Sequence, residues 1–293
     1  MKLTLDRIWF NIFGYAAVIL FSLLCLIPFI LVISSSVTSE SFIIRNGYTL
    51  FPQDISFEGY RLSLQNPTAI VNAYGVTILV TVLGTAISVF ICTMTGYVLQ
   101  RKDFKWRNKI SFYLFFTTLF NGGLVPWYIL CVQYLGLKNT LWSLFIPSLI
   151  SVWNILIVKG FMRGIPFEIT ESAKIDGAGD FRIFLSIILP VSKPVVATIG
   201  LFTALMYWND WFASLLFITD ERLYTLQYFL YKLVGSVQAL RSVMDKAGIV
   251  VPTLPVESMK MALTVIVTGP IIFLYPFVQR YFVKGLTIGS VKG

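Results

Sequence analysis

Few side chains in this 293-residue chain are able to do chemistry, and their types narrow what it can be. Histidine is absent, which removes the commonest general base and metal ligand. The three cysteines, Cys25, Cys92 and Cys131, each fall inside an apolar run, where a thiol reads as a small buried hydrophobe with no disulfide or metal role. No stretch carries clustered carboxylates able to hold a metal or to divide acid and base roles, so no catalytic residue and no metal site are expected. A Gly-x-x-x-x-Gly-Lys-Ser/Thr phosphate loop is missing as well. Two groups remain. One is Asp210, the single ionisable residue well inside an apolar run, where a charge is costly enough to be a functional candidate. Beside it Trp208, Asn209 and Trp211 offer ring faces and amide hydrogen bonds, the two interactions a pyranose ring and its hydroxyls use. Trp153 and Asn154 form a weaker second pair; these Trp and Asn residues also fit interfacial anchoring and helix packing, and Asp210 also fits a place near the outer end that simply meets water. The other group is the polar run Glu171-Ser172-Ala173-Lys174-Ile175-Asp176-Gly177, preceded by Glu168 and followed by Ala178.

The elements that position these groups follow from composition. Hydrophobic residues make up 57% of the chain and charged residues 13%, against about 25% charged in a soluble domain. A bilayer crossing needs about 20 apolar residues, and six candidate stretches emerge: Ile8 to Ile33, Ala69 to Leu99, Ile110 to Leu137, Asn139 to Val158, Val195 to Ile218, and Met261 to Val278. Their continuity favours helices over barrel strands, which would alternate over about ten residues. The expected fold is all-α: a polytopic membrane protein with six transmembrane helices. Residues 1–68 supply the first helix and an outer loop, and residues 69–293 the transmembrane core. Basic Lys2 and Arg7 precede the first stretch as they would in a signal peptide, but its apolar run is too long for one that is cleaved.

Fifteen of the 23 basic residues fall on the face that holds both termini, the 99–109 loop and the 159–194 loop, and eight on the other. The positive-inside rule makes the richer face cytoplasmic. The basic excess therefore reflects topology and contact with anionic membrane lipid, and no nucleic-acid partner is expected. On the outer side, Leu226, Phe229, Leu230, Leu233, Val234 and Val237 recur at helical spacing and predict a short amphipathic helix, lying on the surface and not crossing.

The 159–194 loop is too long for a simple connection. It reads as two short helices: one with Pro166 in its first turn, Glu168 at the positive end of its dipole and Gly177 and Gly179 as a stop; a second capped by Asp180 and ending before Pro190.

Within it, Glu171 to Gly177 followed nine residues later by Ile187-Ile188-Leu189-Pro190 resembles the cytoplasmic signature of ABC importer permeases: Glu-Ala-Ala, three residues, Gly, nine residues, Ile-x-Leu-Pro. Ser172 replaces the first alanine with a residue of similar size. Asn121-Gly122-Gly123-Leu124-Val125-Pro126, Leu135-Gly136-Leu137-Lys138-Asn139-Thr140, Trp208-Asn209-Asp210-Trp211-Phe212 and the terminal Lys284 to Gly293 are similar, in order, to the carbohydrate-uptake branch of the MalG type. The resemblance covers roughly residues 70 to 293. The Asn121–Pro126 variant is similar to the branch importing uronic-acid oligosaccharides such as alginate or pectin fragments.

The resemblance implies a complex of two permeases, two ATPase subunits that hold ATP and Mg2+, and an extracytoplasmic solute-binding protein, in a bacterial cytoplasmic membrane. On this resemblance the chain itself is expected to carry no cofactor, to be no enzyme and to pass a carbohydrate. It further implies that Glu168, Glu171, Ser172, Ala173, Asp176, Gly177 and Ala178 form a helix seated in a moving ATPase, with small residues allowing close approach and Glu171 meeting a basic partner residue. The tail, Ser290, Val291, Lys292 and Gly293, either reaches between the ATPase subunits or is a frayed basic end. The competing class is an ion-coupled transporter or channel, which should show broken mid-membrane helices and several buried charges.

Overall fold

The computed structural model describes residues 5–65, 67–246 and 255–272, and every regular element among them is helical. They cluster into two compact units, one built on Thr68–Phe229 and the other on the residues up to Pro67 together with Leu230–Pro270. Leu230–Pro270 thus groups with the N-terminal residues.

In the N-terminal unit, α1 (Leu5–Ser36) is followed by the short α2 (Glu40–Asn46) and α3 (Glu58–Ser63). The apolar window of α1 is not buried by the rest of the chain at all. A helix apolar on every side needs lipid or another chain around it. Cys25 is exposed on it, contrary to the expectation of a buried thiol. The carboxylate of Glu40 is buried and accepts the backbone N–H groups of Glu257 and Ser258 at 2.9–3.1 Å. It thereby satisfies orphan donors at the start of the helix over residues 256–272, at the end where the dipole favours an anion. The sixth expected stretch, Met261 to Val278, is described only as far as residue 272, inside that helix.

The second unit starts with α4 (Pro67–Gln100), which with Trp9–Ser36 makes two helices long and apolar enough to cross a bilayer unbroken. The next expected crossings are not continuous. Ile110 to Leu137 is α5 (Arg107–Leu119) and α6 (Leu124–Ile129), the latter running on as a π-helical turn to Tyr134, with a bend of 115° between them. The break has a local cause: Gly123 sits at φ +90°, and its N–H is held by the Asn121 side chain at 2.8 Å. Asn139 to Val158 becomes two 3-10 turns around Pro147 and then α7 (Val152–Met162), bent by 49°. After α8 (Glu168–Ile175), the segment α9 (Asp180–Ile183), a π-helical turn and α10 (Leu189–Val191) meets α11 (Lys193–Trp208) at 84°. The fifth expected stretch stops at Asn209 and resumes as α12 (Phe212–Phe217). Counting each bent pair as one crossing gives up to five among the described residues. The amphipathic segment is α13 (Leu226–Lys246), 21 residues and longer than expected.

The core of this unit forms along α4. Its buried Gly84, Ser88, Cys92 and Gly96 recur every fourth residue and make one smooth stripe. A Cβ on Gly96 would lie 2.6 Å from Val158 of α7, and one on Gly84 2.7 Å from the Tyr207 ring of α11. Cys92 is buried in this stripe as a small hydrophobe, its thiol 3.7 Å from the Ser151 carbonyl. Around the lower stripe Tyr97, Ile155, Met162, Ile183, Phe184 and Ile199 close a continuous apolar cluster.

Gly96→Leu is expected to force α7 away from α4 and destabilise the fold by about 1–3 kcal/mol. A lowered thermal midpoint of the detergent-purified variant checks this; an unchanged midpoint would refute the close contact.

Candidate functional site

The loop between α7 and α11 presents α8 as a two-faced helix. Thr170 and Ala173 are buried, whereas Glu168, Glu171, Ser172, Ile175 and Asp176 are exposed. Ala173 lies in the chain's own apolar cluster, so its small size lets α8 seat against this unit and does not face a partner as expected. Ser172 is outward, its hydroxyl donating to the Glu168 carbonyl at 2.9 Å. The helix ends in a Schellman motif: Ala178 N–H donates to the Ala173 carbonyl at 2.9 Å and Gly177 N–H to Lys174 at 3.0 Å. Gly177 has φ +78° with nothing near its absent Cβ, so backbone conformation alone demands glycine. Pro166 is outside the first helical turn, since the helix starts at Glu168. Ile175 is 86% exposed, an apolar side chain on the same stripe as Glu168 and Glu171, which the motif placed without marking as a contact. Its i, i+4 relation to Glu171 was the available signal.

The second candidate group is partly assembled. Trp208 ends α11, buried, with its indole N–H unpartnered among the described residues and its ring 6.5 Å from Tyr74. Asn209 accepts a hydrogen bond from Gln227 at 3.2 Å and donates to the Leu205 carbonyl at 2.8 Å. One Asp210 carboxylate oxygen accepts the N–H groups of Phe212 and Ala213 at 2.8 and 3.1 Å, which starts α12. Trp211 is half exposed against Phe212. Trp153 and Asn154 do not join this group. Asn154 is buried and donates to Thr203 at 3.1 Å, locking α7 to α11, while Trp153 is 71% exposed. The tail residues Ser290, Val291, Lys292 and Gly293 lie outside the described residues.

The ionic seat of the loop was not foreseen. Buried Arg101, just beyond α4, pairs with Asp103 and donates to Asp180 at 2.7 Å, while Lys174 of α8 sits 3.4 Å from both carboxylates. Asp180 is therefore not the cap of α9; Gly179 occupies that position, and the carboxylate is turned to Arg101 instead. The Arg101 guanidinium also lies 5.7 Å from the Tyr97 ring, which stacks on Phe184 of the π-helical turn. These groups border a cavity of about 370 Å³ that Phe104 and Phe181 also line. The hydrogen bond and charge of Arg101, with help from Lys174, hold both Asp103 and Asp180 below the ordinary carboxylate value of 3.8, against the opposing effect of burial. Groups with depressed values stabilise the fold above that value and lose the contribution as pH falls through their folded values. The thermal midpoint should accordingly drop below about pH 4. A chain carrying Asp103→Asn and Asp180→Asn should start lower at neutral pH and show a shallower acid dependence; parallel curves would refute the network.

Against this geometry the comparisons with known proteins are direct. Residues 92–288 match the family described as binding-protein-dependent transport system inner membrane component. The chain is 37% identical to the polygalacturonan/rhamnogalacturonan transport system permease protein YtcP of Bacillus subtilis, over 97% of this chain and 98% of that one. It is 29% identical to the trehalose/maltose transport system permease protein MalG of Thermococcus litoralis, over 94% of each. Among solved structures, the crystal structure of a bacterial ABC transporter involved in the import of the acidic polysaccharide alginate superposes a chain with a TM-score of 0.81, at 26% identity, over 96% of this chain and 99% of that one. The chain belongs to the binding-protein-dependent transport system inner membrane components, the permease subunits of ABC importers.

Proposed function

We propose that this chain is one of two permease subunits through which an ATP-driven importer moves an acidic oligosaccharide of the uronic-acid class into a bacterial cytoplasm. The substrate class rests on two relatives together: one carries polygalacturonan and rhamnogalacturonan in its name, and the other belongs to an importer of alginate. In this reading six crossings place both termini and the α8 loop in the cytoplasm of a multi-pass inner-membrane protein. Two ATPase subunits bind ATP and Mg2+ there, and a solute-binding protein delivers the sugar from outside.

The observation that carries the mechanism is the exposed stripe of α8 on a rigid seat. Glu168 and Glu171 offer charge to basic groups of an ATPase cleft, and Ile175 offers an apolar knob. The Lys174–Asp103–Arg101–Asp180 network then ties any displacement of α8 to the end of α4, and the Ala173 contact ties it to the apolar cluster. Movement at the loop thus becomes movement of α4, α7 and α11 as packed bodies. At the α11–α12 break, the indole N–H of Trp208, unpartnered among the described residues, is the group suited to meet a sugar hydroxyl, while Asn209 is tied to Gln227 and Leu205 and Asp210 holds the first N–H groups of α12. The broken helices by themselves fit an ion-coupled carrier equally well; family membership decides against that reading.

Reconstituted with its partners, the complex should hydrolyse ATP faster when the loaded binding protein is present. Glu171→Ala and Gly177→Val should each remove most of that stimulation, and Ile175→Asp should weaken ATPase association without lowering the thermal midpoint of the isolated chain. Normal stimulation in all three variants would reject the coupling role. Uptake of labelled oligogalacturonide into proteoliposomes, with a neutral oligosaccharide as control, tests the substrate class; exclusive uptake of the neutral sugar would reject it.

A further inference from the structure

A second cavity, about 500 Å³, lies where α4 gives way to α5 and where α7 gives way to α8. Lys102, Arg107, Lys159 and Arg163 line it, with Glu168 as the one acid. Among the described residues none of the four cations forms an ion pair. Arg107 spends one guanidinium N–H on the Arg101 carbonyl at 3.3 Å, and the Lys159 ammonium donates to the Ser111 hydroxyl at 2.7 Å. Arg107 and Arg163 both lie close enough to repel the Lys159 charge. Gathering four cations in one recess with a single carboxylate that pairs with none of them is unfavourable, and a bound anion would relieve it.

The position in the chain says which kind. Arg107 opens α5 and Lys159 stands in the last turn of α7, so the cavity sits at the level where the apolar stretches end. That is the depth of lipid headgroups. Trp106 beside it is 58% exposed with Lys109 at 4.8 Å from its ring, an aromatic and a cation suited to the same interface. The recess is the size of a small-ligand pocket, and the exposed stripe of α8 lies outside it except for Glu168.

The geometry points to a binding site for the phosphate-bearing headgroup of an anionic phospholipid, held between Lys102, Arg107, Lys159 and Arg163. Arg107 and Arg163 supply planar guanidinium donors matched to phosphate oxygens, and the two lysines supply point charge. The site depends on the importer reading only for which leaflet supplies the lipid. A headgroup bound here would brace the α7–α8 junction, adjoining the helix assigned to coupling.

The test uses the assembled importer in neutral detergent, titrated with phosphatidylglycerol or phosphatidylcholine and read by native mass spectrometry. The wild type should retain phosphatidylglycerol in preference. Arg163→Gln combined with Lys102→Gln, both exposed positions, should cut that retention about tenfold with no change for phosphatidylcholine. Arg107→Gln alone should act in the same direction. Equal retention by wild type and both variants, or equal retention of the two lipids by wild type, overturns the site. Displacement of phosphatidylglycerol by equimolar inorganic phosphate overturns the lipid assignment in favour of a soluble ion. Loss of the ATPase subunits with lipid retention unchanged overturns it in favour of a protein-docking recess. None of these readouts involves transport, so failure of the site and failure of the importer reading remain distinguishable.

Discussion

The close approach of α7 and α11 to the small-residue stripe of α4 is the constraint on which the Thr68–Phe229 unit depends. Lipid tails are as apolar as leucine, so burial of greasy side chains gives helices in a bilayer little reason to associate. Intimate contact does, and at Gly84 and Gly96 there is no room for even a methyl group. That contact brings Asn154 within hydrogen-bonding distance of Thr203, and the Tyr207 hydroxyl within 3.1 Å of the Phe145 carbonyl. Each is a polar bond in surroundings where an unmet donor would cost several kcal/mol.

From the same helix the packing passes to the loop. Tyr97 and Arg101 continue α4 past its apolar stripe, one stacking on Phe184 and the other pairing with Asp103 and Asp180. Apolar contact and ion pairing therefore fix α8 and α9 at the same place. The ionic part is half exposed and contributes modestly to stability. Its value is directional, because four charges in two opposed pairs hold one arrangement and resist sliding. A lever that has to transmit a push benefits from such a seat, whereas a purely greasy contact could slip.

The family's motif fragments acquire separate physical reasons in this light. Gly177 ends a helix at positive φ; Gly123, also at positive φ, and Asn121 make the turn that starts α6. Asn139, at φ +56°, accepts the N–H groups of Thr219 and Asp220 and donates its own to Phe217, clasping the 135–140 turn to the end of α12. Asp210 caps α12. They are turn and cap devices, and they give backbone N–H groups partners at the breaks between helices.

The sequence by itself determined that the chain is helical and membrane-bound, that a two-part loop follows α7, and that Glu171 to Gly177 is a helix ending in glycine. Those are properties of apolar runs, caps and local spacing, which short stretches specify without help. The four-residue recurrence of Gly84, Ser88, Cys92 and Gly96 gained its meaning only from the helices packed on it. What the tertiary structure alone decided is where two expected crossings bend and a third is interrupted after Trp208, that Ala173 turns inward while Ile175 turns out, and that Arg101 reaches Asp180 across 79 positions of chain. Bend angles and long-range ion pairs depend on which helices come to lie side by side, and hydropathy, the same on every face of such a helix, does not encode the choice of neighbour.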